Sequence, residues 1–252
     1  MKLGRKAKHP EAHRLALARF LSKALPPPPD EWKRPDGCVF PMFANDRLGD
    51  CTIAGLAHHL HMQSVIEGRP IQFTEQDVVD FYLDMTGGAD DGLVIVDVLQ
   101  RAQDRGFPLS GAHKLAASAI VEPSDGDNLR SACATFGGLT LGVLLPLAAQ
   151  SQAVWDVPDT KDLSSLDGQW AVGSWGGHDV VVSAFDRNGL TLVTWGVEKR
   201  CTWPWFVAYC EEAHPILDAD RARQADVDMD ALVAEIRSIT ASAPPIQPGG
   251  AE

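Results

Sequence analysis

The sequence predicts an α+β fold, with helices first and an antiparallel sheet after them. Three observations carry that prediction. Apolar residues recur at helical spacing in several segments between residues 51 and 136. From residue 138 onward the apolar runs are short and rich in β-branched residues. Two of these runs flank Asp186-Arg187-Asn188-Gly189, and Asn-Gly between β-rich segments is a strong hairpin signal because both residues tolerate positive φ.

Residues 51–66 are apolar almost all round at their start, the pattern of a buried central helix. Thr74 opens a helix to about Met85, with an acidic first turn and Asp77 placed for a capping box. Residues 92–105 carry Val94, Ile95, Val98, Leu99 and Ala102 at helical spacing, and Gly106 stops them. A further helix is expected over 127–136. Strands are expected over 138–145, 179–185 and 190–195. Residues 201–214, with Trp203, Trp205, Phe206 and Tyr209, read as one helix packed on the sheet.

The two ends read differently from this 37–217 domain. Residues 1–36 start basic (Lys2, Arg5, Lys6, Lys8), continue as a short amphipathic helix over 11–25, and stop at Pro26 to Pro29. They are either an extension strapped across the domain or a docking arm for a protein partner or nucleic acid. Residues 218–252 form the tail. Asp228 caps a helix to about Ala241, and 243–252 read as disordered.

Composition narrows the function. The chain has 252 residues, 45% hydrophobic and 22% charged, with a net charge of −12. An acidic balance carries no strong nucleic-acid or anionic-membrane signal. No run approaches the ~18 apolar residues of a membrane span. The basic opening lacks the apolar core of a signal peptide. Five cysteines without a CxxC pair form neither a zinc ribbon nor a disulfide scaffold. The expected setting is a reducing cytoplasm, with no cofactor and no metal. His58 and His61 share a helix face, but Cys51 lies two turns away, about 10.5 Å of rise and too far for a shared ion.

The chemistry concentrates in two patterns. Asn45-Asp-Arg-Leu-Gly-Asp-Cys51 leads into the buried helix, and Gly176-Gly177-His178 opens the hairpin whose second strand ends in Thr194-Trp195-Gly196. A thiol at a helix N-terminus sits among unpaired N–H groups and the positive end of the dipole, which favour thiolate. An imidazole beside it adds to that effect and can protonate a leaving group. An amide such as Asn45 can join a backbone N–H as an oxyanion donor. Asp50 opposes the thiolate unless it turns away as a cap. Trp155, Trp170 and Trp175, in the long segment 146–177, are candidates either for a substrate cleft or for a satellite core.

These residues resemble the papain-like cysteine peptidases. That family has a Gln six residues before its nucleophile, the place Asn45 takes. Its nucleophile opens a long central helix, as Cys51 does, and its base lies in a Gly-His segment starting a hairpin, as His178 does. Phe73-Thr-Glu-Gln-Asp-Val-Val-Asp80 resembles a further family segment, as does the Gly87-Gly88 turn, and the likeness spans about residues 38–200. His178 and Val193 follow Cys51 by about 130 and about 140 residues, close to the roughly 130–150 of the family's His and Asn. The chain also resembles uncharacterised bacterial and phage-encoded proteins that begin with Met-Lys-Leu-Gly-Arg-Lys.

The resemblance implies a peptidase, isopeptidase or amidase acting on a peptide or protein substrate, with Cys51, His178 and Asn45 catalytic. Trp195 is implied to shield the imidazole. Val193 stands where the family has its triad Asn and cannot hydrogen-bond an imidazole, so either Thr194 or a residue from elsewhere orients His178, or the site is a Cys-His dyad. That departure keeps an alternative in view, a catalytically inactive interaction or phage structural protein on the same fold, virion-associated if phage-encoded.

Overall fold

The computed structural model describes residues 1–159, 162–217 and 219–242. The expected disorder of 243–252 lies outside these. Among the described residues, seven α-helices and eight strands follow the chain in the order given below.

After strand β1 (Trp32–Lys33), the first long element is helix α1 (Cys51–Ile66). It is buried on nearly every face because it lies between two apolar clusters. On one side Ile53, Ala54, Leu56 and Ala57 pack against helices α2 (Glu75–Thr86) and α3 (Ile95–Arg105). On the other, Met62 meets Val181 and Val193 of the sheet. Thr74 and Asp77 exchange both bonds of a capping box at the start of α2, and Gly87, in the left-handed region, closes it. After the short strand β2 (Ala117–Ser118) comes helix α4 (Gly126–Phe136), capped by Asp125.

The sheet half consists of β3 (Leu139–Leu145), β4 (Gly176–Asp186), β5 (Gly189–Thr194), β6 (Val197–Thr202) and β7 (Cys210–His214). Their order is β6-β5-β4-β3-β7, all antiparallel, with β1 paired to the far end of β4. The β4–β5 hairpin closes as expected, with Asp186 opposite Gly189 and the Asp186 carboxylate accepting from the Asn188 N–H. Strand β8 (Ile216–Leu217) pairs β2, and helices α6 (Ala219–Gln224) and α7 (Met229–Ser242) end the described chain. No described helix is long and apolar enough to cross a membrane.

Two expectations are corrected. Residues 201–214 are not one helix: helix α5 (Trp203–Tyr209), capped by Thr202, is flanked by β6 and β7. The carboxylates of 211–212 belong to a strand because β3 supplies their backbone partners. Residues 11–25 are not one amphipathic helix either. They form 3₁₀ turns at Ala12–Leu15 and Leu17–Arg19. The apolar side chains still enter the core, but Leu17 N–H and Leu15 C=O bond to Ile120, which replaces intrahelical bonds.

Candidate active site

Cys51 is the first residue of α1 and is 1% exposed. The loop ahead of it carries Phe43 and Ala44 at positive φ, a costly backbone for non-glycine residues that turns the chain sharply into the helix. His178, 0% exposed, lies near the start of β4 opposite Val143 of β3. Its ring is fixed from two sides. Nε2 is 2.8 Å from the Thr194 hydroxyl, and Trp195 stacks on the imidazole with ring centroids 4.1 Å apart and planes 15° apart. Trp195 itself has positive φ, which swings its indole over the ring. Val193 points elsewhere, packing with Met62 and Val181 under α1. The side chain that meets the imidazole is therefore the residue after the expected Asn position. With Nε2–H donated to Thr194, Nδ1 carries the free lone pair a base needs. Nδ1 makes no hydrogen bond here, to Cys51 or to any other group.

The other expected residues separate. Asn45 is buried beside the site, but its amide donates to the Leu48 carbonyl and lies alongside the Asp50 carboxyl. Asp50 does not cap α1 with its side chain, and burial pushes its carboxyl up to about 7. Trp175 packs against Trp195 in a tilted contact, ring centroids 5.3 Å and planes 31° apart. Trp170 is half-buried, its carbonyl accepting from the Tyr209 hydroxyl. Of the two alternatives for Trp155, its surroundings are those of core: it is 1% exposed, stacked on Trp205, and donates its indole N–H to the Ala149 carbonyl. The histidines of α1 are engaged with the protein, His58 with the Pro41 carbonyl, His59 with Thr140 and His61 with Val39 and Ile71. Among the described residues no cluster of three or more His, Cys, Asp or Glu could hold a metal.

Residues 2–6 of the same chain lie against Cys51 and against the strand that carries His178. Lys2 N–H donates to the Asn45 carbonyl, and the Trp195 indole donates to the Lys2 carbonyl at 3.1 Å. The Gly4 N–H faces the Cys51 sulfur. Further along, Leu93 N–H donates to Gly4 C=O, Arg5 N–H to Gly177 C=O, and Lys6 N–H to Leu93 C=O. The segment thus pairs with the helical half on one side and the sheet half on the other. A Cβ on Gly4 would sit 1.8 Å from the Gly49 carbonyl oxygen, so only glycine lets the segment lie this deep. Lys2 pairs with Asp90 and Lys6 with Asp91, pinning its ends.

Enclosure sets the protonation states. Burial raises the Cys51 thiol well above its ordinary range, and the Asp179 and Asp50 carboxyls add to it; the N–H groups of Asp179 and Gly4 work against the rise. Burial lowers the His178 imidazole to about 3. Both groups are neutral near pH 7 in this closed state, because neither charge has water to solvate it.

Asp179 and Glu212 are two enclosed carboxyls that sequence reasoning did not single out. Each is a fully enclosed carboxyl on a strand otherwise lined with buried neighbours. The available signal was a charged residue at an inward position of an apolar β run.

No protein-family model matches the chain, and no curated protein matches its sequence. Solved structures do. Xylellain, a cysteine protease from Xylella fastidiosa, superposes with a TM-score of 0.61 at 15% identity, over 85% of this chain and 95% of that one. Procathepsin L 3 from the larval midgut of Tenebrio molitor gives a TM-score of 0.57 at 13% identity, over 86% and 83%. The Carica candamarcensis cysteine protease CMS1MS2, in complex with E-64, gives 0.52 at 12% identity, over 75% and 99%. The chain has the papain-like α+β fold.

Proposed function

We propose that the protein is a papain-like thiol hydrolase acting on a peptide or protein substrate through Cys51 and His178. What supports this reading is that one short segment touches the surroundings of both residues: the Gly4 N–H faces the Cys51 sulfur, and the Arg5 N–H donates to Gly177 C=O, next to His178. Cys51 opens α1, and His178, fixed by Thr194 and Trp195, lies near the start of β4. In the reaction the sulfur attacks the acyl carbon while its proton passes to His178 Nδ1. The imidazolium then protonates the leaving amine, and water cleaves the thioester with His178 as base. The N–H groups of Cys51 and Thr52, which have no intrahelical acceptor, face the developing oxyanion. Asn45 joins them once its amide turns from Leu48.

Residues 2–6 must leave the groove first. Water entering with their departure solvates both charges and allows the thiolate–imidazolium pair. The test uses Gly4→Ala to open the groove, with iodoacetamide labelling of Cys51 followed by peptide mass spectrometry from pH 5 to pH 8. An ordinary thiol, with a pKa near ~8.5, is almost unreactive at the acid end. Labelling at pH 5–6 that disappears in His178→Ala supports the pair. Labelling that follows ordinary thiol titration in the opened groove overturns it.

A further inference from the structure

The segment that fills the groove is held most firmly by one side chain. Arg5 is buried to 0% side-chain exposure, yet it carries a full charge. Its Nε and Nη2 donate to Glu212 Oε1 at 2.9 and 2.6 Å, and Nη2 also donates to Glu211 Oε2 at 2.8 Å. Glu212 is equally buried and takes a second bond, from His214 Nε2 to Oε2 at 2.8 Å. Burial alone would raise the Glu212 carboxyl. His214 and Arg5 outweigh it and hold it at about 2.

The hole that receives the guanidinium is built into the sheet. Gly142 of β3 sits opposite Glu212 of β7, beside an irregularity in their pairing. A Cβ at Gly142 would lie 2.4 Å from Arg5 Nε and 2.6 Å from Glu212 Cγ, so any other residue would close the hole. Asp179, whose carboxylate lies against Gly55 of α1, faces the same region and interacts with both Arg5 and Cys51. Arg5 immediately follows the residue whose N–H faces the sulfur, so the acidic hole opens one residue away from the nucleophile.

An enclosed carboxylate on a strand is costly without a cation. When residues 2–6 withdraw, Glu212 loses Arg5 and keeps His214, and the hole is left acidic through the Glu212 and Glu211 carboxylates; Asp179 borders it, but burial holds its carboxyl well above the usual carboxylate range. We infer that this hole is the specificity pocket of the groove, that it takes the guanidinium or ammonium of a basic residue in the substrate peptide, and that residues 2–6 occupy it as an internal ligand. The inference rests on the hydrolase reading for the word substrate, but the pocket binds without any chemistry.

Binding therefore tests it. The full-length Cys51→Ala/Arg5→Ala protein is titrated against fluorescein-labelled Lys-Leu-Gly-Arg-Lys and against the same peptide with citrulline in place of arginine, read by anisotropy. Citrulline keeps the shape and removes the charge. The expected result is binding at least about tenfold tighter for arginine, a preference lost in Glu212→Gln and binding of both peptides lost in Gly142→Val. Charge-assisted bonds of this kind are worth roughly 1.5–3 kcal/mol, which is about 10- to 150-fold. Equal affinity for the two peptides in a folded protein overturns the inference, as does a preference that Glu212→Gln leaves intact.

If Arg5→Ala fails to fold, Gly4→Ala frees the groove while keeping the cation, and the titration is repeated with the Cys51→Ala/Gly4→Ala protein. An arginine preference without peptide turnover in the Cys51 protein would count against the hydrolase reading alone. Turnover without an arginine preference would count against the pocket alone.

Discussion

Gly4→Ala is the smallest change that should open the groove. The added Cβ would sit 1.8, 2.3 and 2.5 Å from the carbonyl oxygen, carbonyl carbon and Cα of Gly49. All three are backbone atoms, so no side chain can swing aside. Either residues 2–6 lift or the loop before α1 shifts, and overpacking of this kind costs typically about 1–3 kcal/mol. The cost falls on the closed state only, because an open segment is in water. A change of 1–3 kcal/mol multiplies the open population by about 5–150.

Labelling reads that population directly when closing is faster than alkylation. Iodoacetamide labelling of Cys51 should therefore accelerate by about 5–150-fold over wild type at the same pH. Two other thiols serve as internal controls. Cys38 is partly exposed and bonded to the Pro35 carbonyl, away from the segment. Cys133 is fully buried in α4 and reports global unfolding. The reasoning fails if the Cys51 rate is unchanged in folded protein, or if Cys133 accelerates in parallel.

Two further predictions concern the site's supports. Asp50→Asn should stabilise the protein progressively as pH rises from about 4 to about 7. Burial raises the Asp50 carboxyl to about 7, so the folded state holds a proton that the unfolded chain has lost, and wild-type stability falls across that window and levels off above it. The asparagine variant lacks that loss; denaturant unfolding at pH 4 and pH 8 should show a difference growing toward roughly 4 kcal/mol. An offset independent of pH would refute it. Thr194→Val removes the only hydrogen bond of a buried imidazole, so stability should fall by about 1–3 kcal/mol and the acid-end labelling of Cys51 in the opened groove should weaken. Thr194→Ser should restore both, and a serine variant as impaired as valine would argue that the methyl group, not the hydroxyl, matters.

The chain's local pattern announced most of the elements. The Thr74–Asp77 capping box, the apolar run from Cys51 and the turn at 186–189 each act over a few residues, so propensity and hydrogen-bond chemistry declare them before any packing occurs. The helix-leading cysteine and the hairpin histidine were also legible, because each motif is local and only their separation is long. Residues 201–214 and 11–25 were misread for the opposite reason. Their backbone partners, β3 for Cys210–His214 and Ile120 for Leu15 and Leu17, lie far away in sequence. Aromatic and leucine spacing cannot reveal a ladder supplied from elsewhere.

By itself the sequence determined the fold class, the helix that presents Cys51 and the hairpin that presents His178. Thr194 was already a candidate, but choosing it required the strand register that turns Val193 under α1 and Thr194 toward the imidazole. The state of the site was decided only in three dimensions. A basic stretch at residues 2–8 is compatible with many roles. Its burial depends on Gly4 fitting against Gly49, on Gly142 leaving room for a guanidinium, and on Glu212 waiting behind it. Those contacts join residues far apart in the chain, Arg5 and Glu212 by 207 positions, and desolvation, which sets the charge of Cys51 and His178, depends on everything that surrounds a group rather than on its neighbours in the chain.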